Sequence, residues 1–113
     1  ILCSTARRTL ETLEILKDGL PEGTTIETTR DIYEVGVGQI VARLKTIPVK
    51  TRVALVIGHN PGMEDTVRVL TGSAAAPKFP TGALATLESA TGWPALGSRT
   101  AELRRFVTPK DLV

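Results

Sequence analysis

The run Val53-Ala54-Leu55-Val56-Ile57 is the feature that most restricts the fold of this 113-residue chain. Five consecutive apolar residues rich in β-branched types predict a strand buried on both faces, as in the interior of a parallel sheet that helices cover. Such a strand favours an α/β layered architecture. The run is also far too short to cross a membrane, which takes about 20 apolar residues.

Segments on either side of this run alternate between strand-like and helix-like patterns. Strands are predicted at residues 1–3 and 24–28, the second near a sheet edge, and an antiparallel pair at 83–88 and 102–107. Apolar residues at helical spacing predict three helices, the first of them capped by Ser4 or Thr5 and the third by Asn60. The three stripes are Ala6, Leu10, Leu13, Leu16 and Leu20, then Ile40, Val41, Leu44 and Ile47, then Met63, Val67 and Leu70. We expect one domain over residues 1–113.

Composition excludes several classes of protein. With 42% hydrophobic residues the chain does not have the signature of disorder. A net charge of +2 is weak evidence for a nucleic-acid partner, and the basic cluster Arg99, Arg104, Arg105 and Lys110 lacks interleaved aromatic residues for stacking. The single cysteine, Cys3, excludes an internal disulfide and fits a reducing compartment. We therefore expect a cytoplasmic protein with neither a nucleic-acid nor a membrane partner.

Two predicted strand-to-helix junctions contain residues suited to ligand binding or catalysis. The first, Ser4-Thr5-Ala6-Arg7-Arg8, places two arginines at a helix start. Cations are disfavoured there by about 0.3–1 kcal/mol unless an anion is bound. Alternatively, one or both arginines lie along the surface with solvated heads.

The second junction, Gly58-His59-Asn60-Pro61-Gly62, contains the only histidine and follows the apolar strand. Ligands in open α/β sheets bind beyond the carboxyl ends of strands, although this histidine could equally cap the next helix or pack at the sheet edge. If the strands ending at Cys3 and Ile57 are parallel neighbours, Arg8 and His59 lie at the same end of one sheet. A guanidinium beside an imidazole suits phosphoryl transfer. No P-loop or nucleophile elbow is present, and a lone histidine argues against a zinc site.

Four segments of the chain resemble motifs of the histidine phosphatase superfamily, and specifically its SixA-type phosphohistidine phosphatases. They cover the whole chain in the family's order. The segments are Leu2-Cys3-Ser4-Thr5-Ala6-Arg7-Arg8-Thr9-Leu10-Glu11-Thr12, Val56-Ile57-Gly58-His59-Asn60-Pro61-Gly62, Phe79-Pro80-Thr81-Gly82-Ala83 and Phe106-Val107-Thr108-Pro109-Lys110-Asp111-Leu112.

The resemblance implies a three-layer α/β/α fold with a mostly parallel central sheet, like that of phosphoglycerate mutases. It also implies a cofactor-free, metal-free phosphatase that acts on phosphohistidine or a small phosphoester through a phosphohistidine intermediate. Arg8 matches the phosphate-clamping arginine, and His59 matches the second histidine, which contacts the phosphoryl oxygens. Ser4 matches the motif serine, which we expect among the phosphate-binding residues and as structural support for the first strand-to-helix junction. Glu34 is a weak candidate for the proton donor, and a solvated glutamate at a helix start is the favoured alternative.

The family's first motif, Arg-His-Gly or Arg-His-Ala, carries the attacking histidine, and no segment of this chain matches it. We expect the missing N-terminal strand and helix to exist in the full protein and the chain alone to be inactive. The chain alone should also self-associate or be poorly stable, because loss of an inner strand exposes sheet edges. The alternative function is a non-catalytic module that binds phosphate or a phosphoprotein. The loop of residues 73–80 is expected to border the site.

Overall fold

The computed structural model describes residues 1–33, 35–73 and 78–112. Within these ranges, five strands and three α-helices follow one another, joined by turns and short 3₁₀ segments. In chain order they are β1 (Leu2–Ser4), α1 (Arg7–Leu16), β2 (Glu27–Thr29), α2 (Val37–Leu44), β3 (Val56–Ile57), α3 (Gly62–Thr71), β4 (Leu84–Ser89) and β5 (Ala101–Val107). None of these helices is long and apolar enough to cross a membrane.

The strands form two sheets. The first is parallel, in the order β2-β1-β3, with Ser4 opposite Thr29 and Cys3 opposite Ile57. The second is the antiparallel pair β4-β5. The predicted α/β class with a mostly parallel sheet is confirmed, as are the position of β2 at a sheet edge and the antiparallel pairing of the last two strands.

Side chains of β1 alternate between two packed layers, as successive residues of a strand must. Leu2 belongs to the main core cluster, whose members from α2 include Ile40 and Leu44 and from α3 include Leu70. Cys3 faces the opposite layer, where its Sγ lies 3.4 Å from the carbonyl oxygen of Thr9 in α1. The sheet therefore separates α1 from the pair α2 and α3.

The apolar run at residues 53–57 is less buried than its composition predicts. Only Val56 and Ile57 pair with β1, and Val53 is 85% exposed. The prediction of an inner strand buried on both faces is wrong: residues 53–55 lie outside β3, Val56 and Ile57 are half-buried, and β3 lies at the edge of the described sheet.

Helix α1 also departs from its sequence pattern. Leu13 is buried, but Leu10 and Leu16 are 38% and 39% exposed, so the stripe is only partly covered. The N-cap is Ala6, without a side-chain cap, rather than Ser4 or Thr5. The physical reason is that Ser4 still lies in β1 and its Oγ accepts the Ala6 N–H at 3.3 Å, forming a turn before the helix begins.

Helix α3 ends as its sequence predicts, at Gly72, whose φ of 69° is the left-handed conformation that glycine adopts at low cost. Its start differs, because the helix begins at Gly62 with Pro61 as the N-cap. Asn60 nevertheless contributes to the first turn, since its Oδ1 accepts the Glu64 N–H at 3.2 Å.

Candidate functional site

The ends of β1 and β3 bring the two predicted junctions together. Because these strands are parallel neighbours, Ser4 and the Gly58-His59 corner leave the sheet at the same end. His59 Nε2 lies 2.9 Å from the Ser4 Oγ, although the two residues are 55 positions apart in sequence. The predicted proximity of the two junctions is therefore present as a direct hydrogen bond.

A third chain segment reaches the same place from β2. Tyr33 follows the 3₁₀ turn Arg30–Ile32, and its ring meets the His59 imidazole edge-on, with centroids 5.9 Å apart and planes at 74°. Tyr33 was not among the predicted site residues. The available signal was its position just beyond a third predicted strand, since parallel strands end at a common sheet edge.

The two arginines of α1 have different surroundings. Arg7 pairs with Glu11 one turn along the helix at 3.1 Å, on an exposed surface. Arg8 is exposed, and no ion pair or hydrogen bond joins its guanidinium to any described residue, His59 included. The first turn of α1 contains no acidic residue. Positive charge from the helix dipole and from Arg8 is therefore left unneutralised at this junction.

A cavity of about 390 Å³ opens beside His59. It lies between the segment before α2 and the start of α3. Its wall is mostly apolar or small, with one carboxylate, and consists of Ile32, Val35, Gly36, His59, Asn60, Pro61, Gly62 and Asp65. The Asp65 carboxylate is 3.5 Å from the Arg68 guanidinium, which offsets its charge. The cavity can receive a group attached to an anion held at His59.

Comparison with solved structures identifies the fold. The chain superposes on a candidate phosphohistidine phosphatase SixA from Nakamurella multipartita with a TM-score of 0.83 and 28% identity, over 96% of this chain and 69% of that one. The protein histidine phosphatase SixA complexed with tungstate gives a TM-score of 0.76 and 25% identity, over 99% of this chain and 69% of that one. The chain belongs to the SixA-type histidine phosphatases.

A curated relative of this SixA-type chain is the uncharacterized protein ML1117 of Mycobacterium leprae (strain TN). It is 30% identical over 118 aligned positions, which cover 97% of this chain and 71% of the relative. No protein-family model matches the chain.

In this SixA-type chain, Asn60 and Glu64 form hydrogen bonds with the backbone of Phe79, which precedes β4. Asn60 Nδ2 donates to the Phe79 carbonyl at 2.5 Å, and Glu64 Oε1 accepts the Phe79 N–H at 2.8 Å. Phe79 also packs on Phe106 of β5 with ring centroids 5.2 Å apart. Residues 74–77 of the loop expected to border the site lie outside the described residues, whereas Phe79 is tied directly to the residue after His59.

Two other residues singled out in the sequence have different outcomes. Glu34, the candidate proton donor, lies outside the described residues. Cys3 is fully buried, and burial raises the pKa of its thiol, as expected for a core residue rather than a nucleophile. In the described ranges no group of three or more His, Cys, Asp or Glu side chains is arranged to hold a metal ion.

Proposed function

We propose that this chain forms the oxyanion-binding part of a phosphohydrolase that removes a phosphoryl group from phosphohistidine or from a small phosphoester. One observation carries the proposal: the sole histidine is held by Ser4 at the carboxyl ends of two parallel strands, and Arg8, whose guanidinium has no partner among the described residues, lies in the first turn of α1. The names of the two solved relatives, both SixA phosphatases, support the same reaction class.

In the proposed reaction the phosphorus is attacked by a histidine other than His59. A P–N bond forms to that nucleophile while the bond to the substrate nitrogen or oxygen breaks, and the leaving group takes up a proton. Water then attacks the phosphohistidine, the P–N bond breaks, and inorganic phosphate leaves with the nucleophile regenerated. His59 is the only histidine of the chain, so the proposed reaction requires an attacking histidine from outside these 113 residues.

The residues of this chain act on the transferred phosphoryl group. Its oxygens carry spread negative charge in the transition state, so stabilisation comes from positioned donors and cations rather than from covalent chemistry. Arg8 supplies a permanent charge and the N-terminus of α1 adds its dipole. His59 supplies a hydrogen-bond donor, and the neighbouring cavity takes the leaving group.

The assignment of Arg8 is tested with Arg7 as the matched control. We expect Arg8→Ala, made in the protein expressed from its complete reading frame, to lower turnover of a phosphoester by about 10²–10³-fold, the usual cost of losing one oxyanion-stabilising group. Arg7→Ala removes only an exposed ion pair with Glu11 and should leave turnover within about twofold. Equal activity of wild type and Arg8→Ala would contradict the proposal.

The second candidate is a module that binds phosphate or a phosphoprotein without turnover. The histidine count favours it, because these 113 residues hold one histidine, which matches the phosphate-contacting residue, and no second histidine to attack phosphorus. Calorimetric titration with tungstate, the anion bound in one of the solved relatives, measures binding separately from hydrolysis. Arg8-dependent tungstate binding without hydrolysis of a phosphohistidine peptide or a phosphoester, by the protein from its complete reading frame, selects the binding module.

The surroundings of Arg8 and His59 bear on the class of substrate. An exposed Arg8 and a site bordered by the anchored Phe79 segment suit a phosphorylated protein partner as well as a small phosphoester. Nucleic acid stays outside the proposal, because Arg104 of the basic cluster is engaged by Glu88 at 3.1 Å and Glu102 at 3.2 Å.

A further inference from the structure

The Ser4 hydroxyl is completely enclosed, with an exposed fraction of 0%. Its backbone is fixed as well, because Ser4 pairs with Thr29 of β2 and its carbonyl accepts the Thr9 hydroxyl at 2.8 Å. A hydroxyl held in this way cannot turn to solvent, so each of its hydrogen-bonding positions must be satisfied by the protein.

A serine hydroxyl has one proton to donate and two lone pairs to accept with. One lone pair of the Ser4 Oγ accepts the Ala6 N–H at 3.3 Å. The other contact is His59 Nε2 at 2.9 Å, and across the described parts of the chain no further acceptor is available to the hydroxyl proton. If Nε2 carried a proton, the Oγ would accept twice and its own proton would be buried without a partner, which is costly.

We propose that Ser4 is a positioning residue that fixes the tautomer of His59. The Ser4 hydroxyl donates to Nε2, so the neutral imidazole carries its proton on Nδ1. Nδ1 has no hydrogen-bond partner among the residues that the structure describes, and His59 lines the 390 Å³ cavity. The ring therefore presents an uncharged N–H donor to whatever occupies the site.

The consequence for the phosphoryl group rests on the proposed function. With His59 neutral, negative charge on the oxyanion is balanced by Arg8 and the α1 dipole, while Nδ1–H fixes the position of one oxygen. The Tyr33 ring packs edge-on against the imidazole, with ring centroids 5.9 Å apart. Ser4 thus acts through His59 and need not touch the phosphate.

The tautomer can be measured directly, because the chain contains a single histidine and its ring nitrogens give unambiguous ¹⁵N NMR signals. At about pH 8, where an ordinary imidazole is neutral, we expect the Nδ1–H tautomer to exceed the Nε2–H tautomer by on the order of tenfold. A dominant Nε2–H tautomer or a protonated ring in the wild-type chain would overturn the proposal without any variant being made.

Substitution and ligand complete the test. Ser4→Ala should populate both tautomers of His59. Ser98→Ala, at an exposed serine, is the control and should leave both ¹⁵N signals unchanged. Unchanged ¹⁵N signals of His59 in Ser4→Ala would contradict the role of Ser4. Tungstate added to the wild type should shift the Nδ1 signal more than the Nε2 signal. A correct tautomer with no response to tungstate would keep the positioning role and count against the proposed phosphate site.

Discussion

At the scale of single residues, two neighbours in β1 have different roles: Ser4 contacts the candidate site and Cys3 packs in the core. Ser4 turns its hydroxyl to His59, while Cys3 turns its thiol into the layer beneath α1, where Sγ lies 3.4 Å from two carbonyl oxygens. Burial disfavours the thiolate and raises the pKa of Cys3. Cys3 is therefore a small core residue whose thiol releases its proton less readily in the folded chain than in water.

The raised pKa of Cys3 predicts a loss of stability in alkali. The folded chain keeps the thiol proton at pH values where the unfolded chain, titrating near the ordinary value of about 8.5, has released it. The contribution of Cys3 is therefore complete below that value and falls as the pH rises towards the folded-state pKa.

Urea denaturation at increasing pH checks this prediction. The free energy of unfolding of the wild type should decline more steeply above about pH 8 than that of Cys3→Ala, which lacks the titrating group. Parallel pH profiles for the two proteins would show that the thiol is not the cause.

At the scale of elements, the start of α3 is packed against the segment that leads into α2. A Cβ on Gly62 would lie 2.8 Å from the Val35 carbonyl oxygen and 2.9 Å from the Ile40 Cδ1. A Cβ on Gly58 would meet only the flexible Met63 side chain, at 2.8 Å from its sulfur. The two glycines of the His59 junction therefore have unequal room for a methyl group.

We expect Gly62→Ala to lower the free energy of unfolding by about 1–3 kcal/mol, because backbone and a core side chain must move. Gly58→Ala should cost less, since methionine adapts by rotation. Chemical denaturation of both variants measures the difference. An equal loss in both would mean that the contact of α3 with the α2 segment is not the controlling feature.

Part of this element arrangement could be predicted from the sequence. Because parallel strands end at a common edge, the motifs containing Ser4 and His59 predict a shared site, and the apolar stripes place Ile40 and Leu70 in the core. For Tyr33 the sequence signals its place beyond a third strand but not its ring contact with His59. The contact of Asn60 with Phe79 could not be predicted, since it depends on how a loop closes over the sheet edge rather than on periodicity. The exposure of Leu10 likewise depends on what packs against α1.

At the scale of the whole molecule, one edge of the parallel sheet is formed by β3, whose apolar sequence is typical of an inner strand. The run at 53–57 has the apolar character of an inner strand, yet Val53 is 85% exposed and the outer side of β3 pairs with no described strand. Unpaired apolar edges recruit other chains. This is the physical reason behind the expectation of association.

We predict that the 113-residue chain self-associates through this edge and that Val53→Lys weakens the association, because a buried ammonium at a strand pairing is costly. Val49→Lys is the matched control: Val49 is 79% exposed but lies in a turn before the run. Size-exclusion chromatography with light scattering across a concentration series measures the effect. A monomeric wild type, or equal responses to the two substitutions, would contradict the prediction.

The double attachment of Asn60 has a consequence for recognition. One side chain holds both the first turn of α3 and the Phe79 carbonyl, and it is covalently adjacent to His59. We therefore expect docking of the Phe79 segment and placement of the imidazole to be thermodynamically linked. If the proposed function holds, a partner that favours the docked segment would also favour the placed imidazole, and an anion bound there would strengthen partner binding by the same factor.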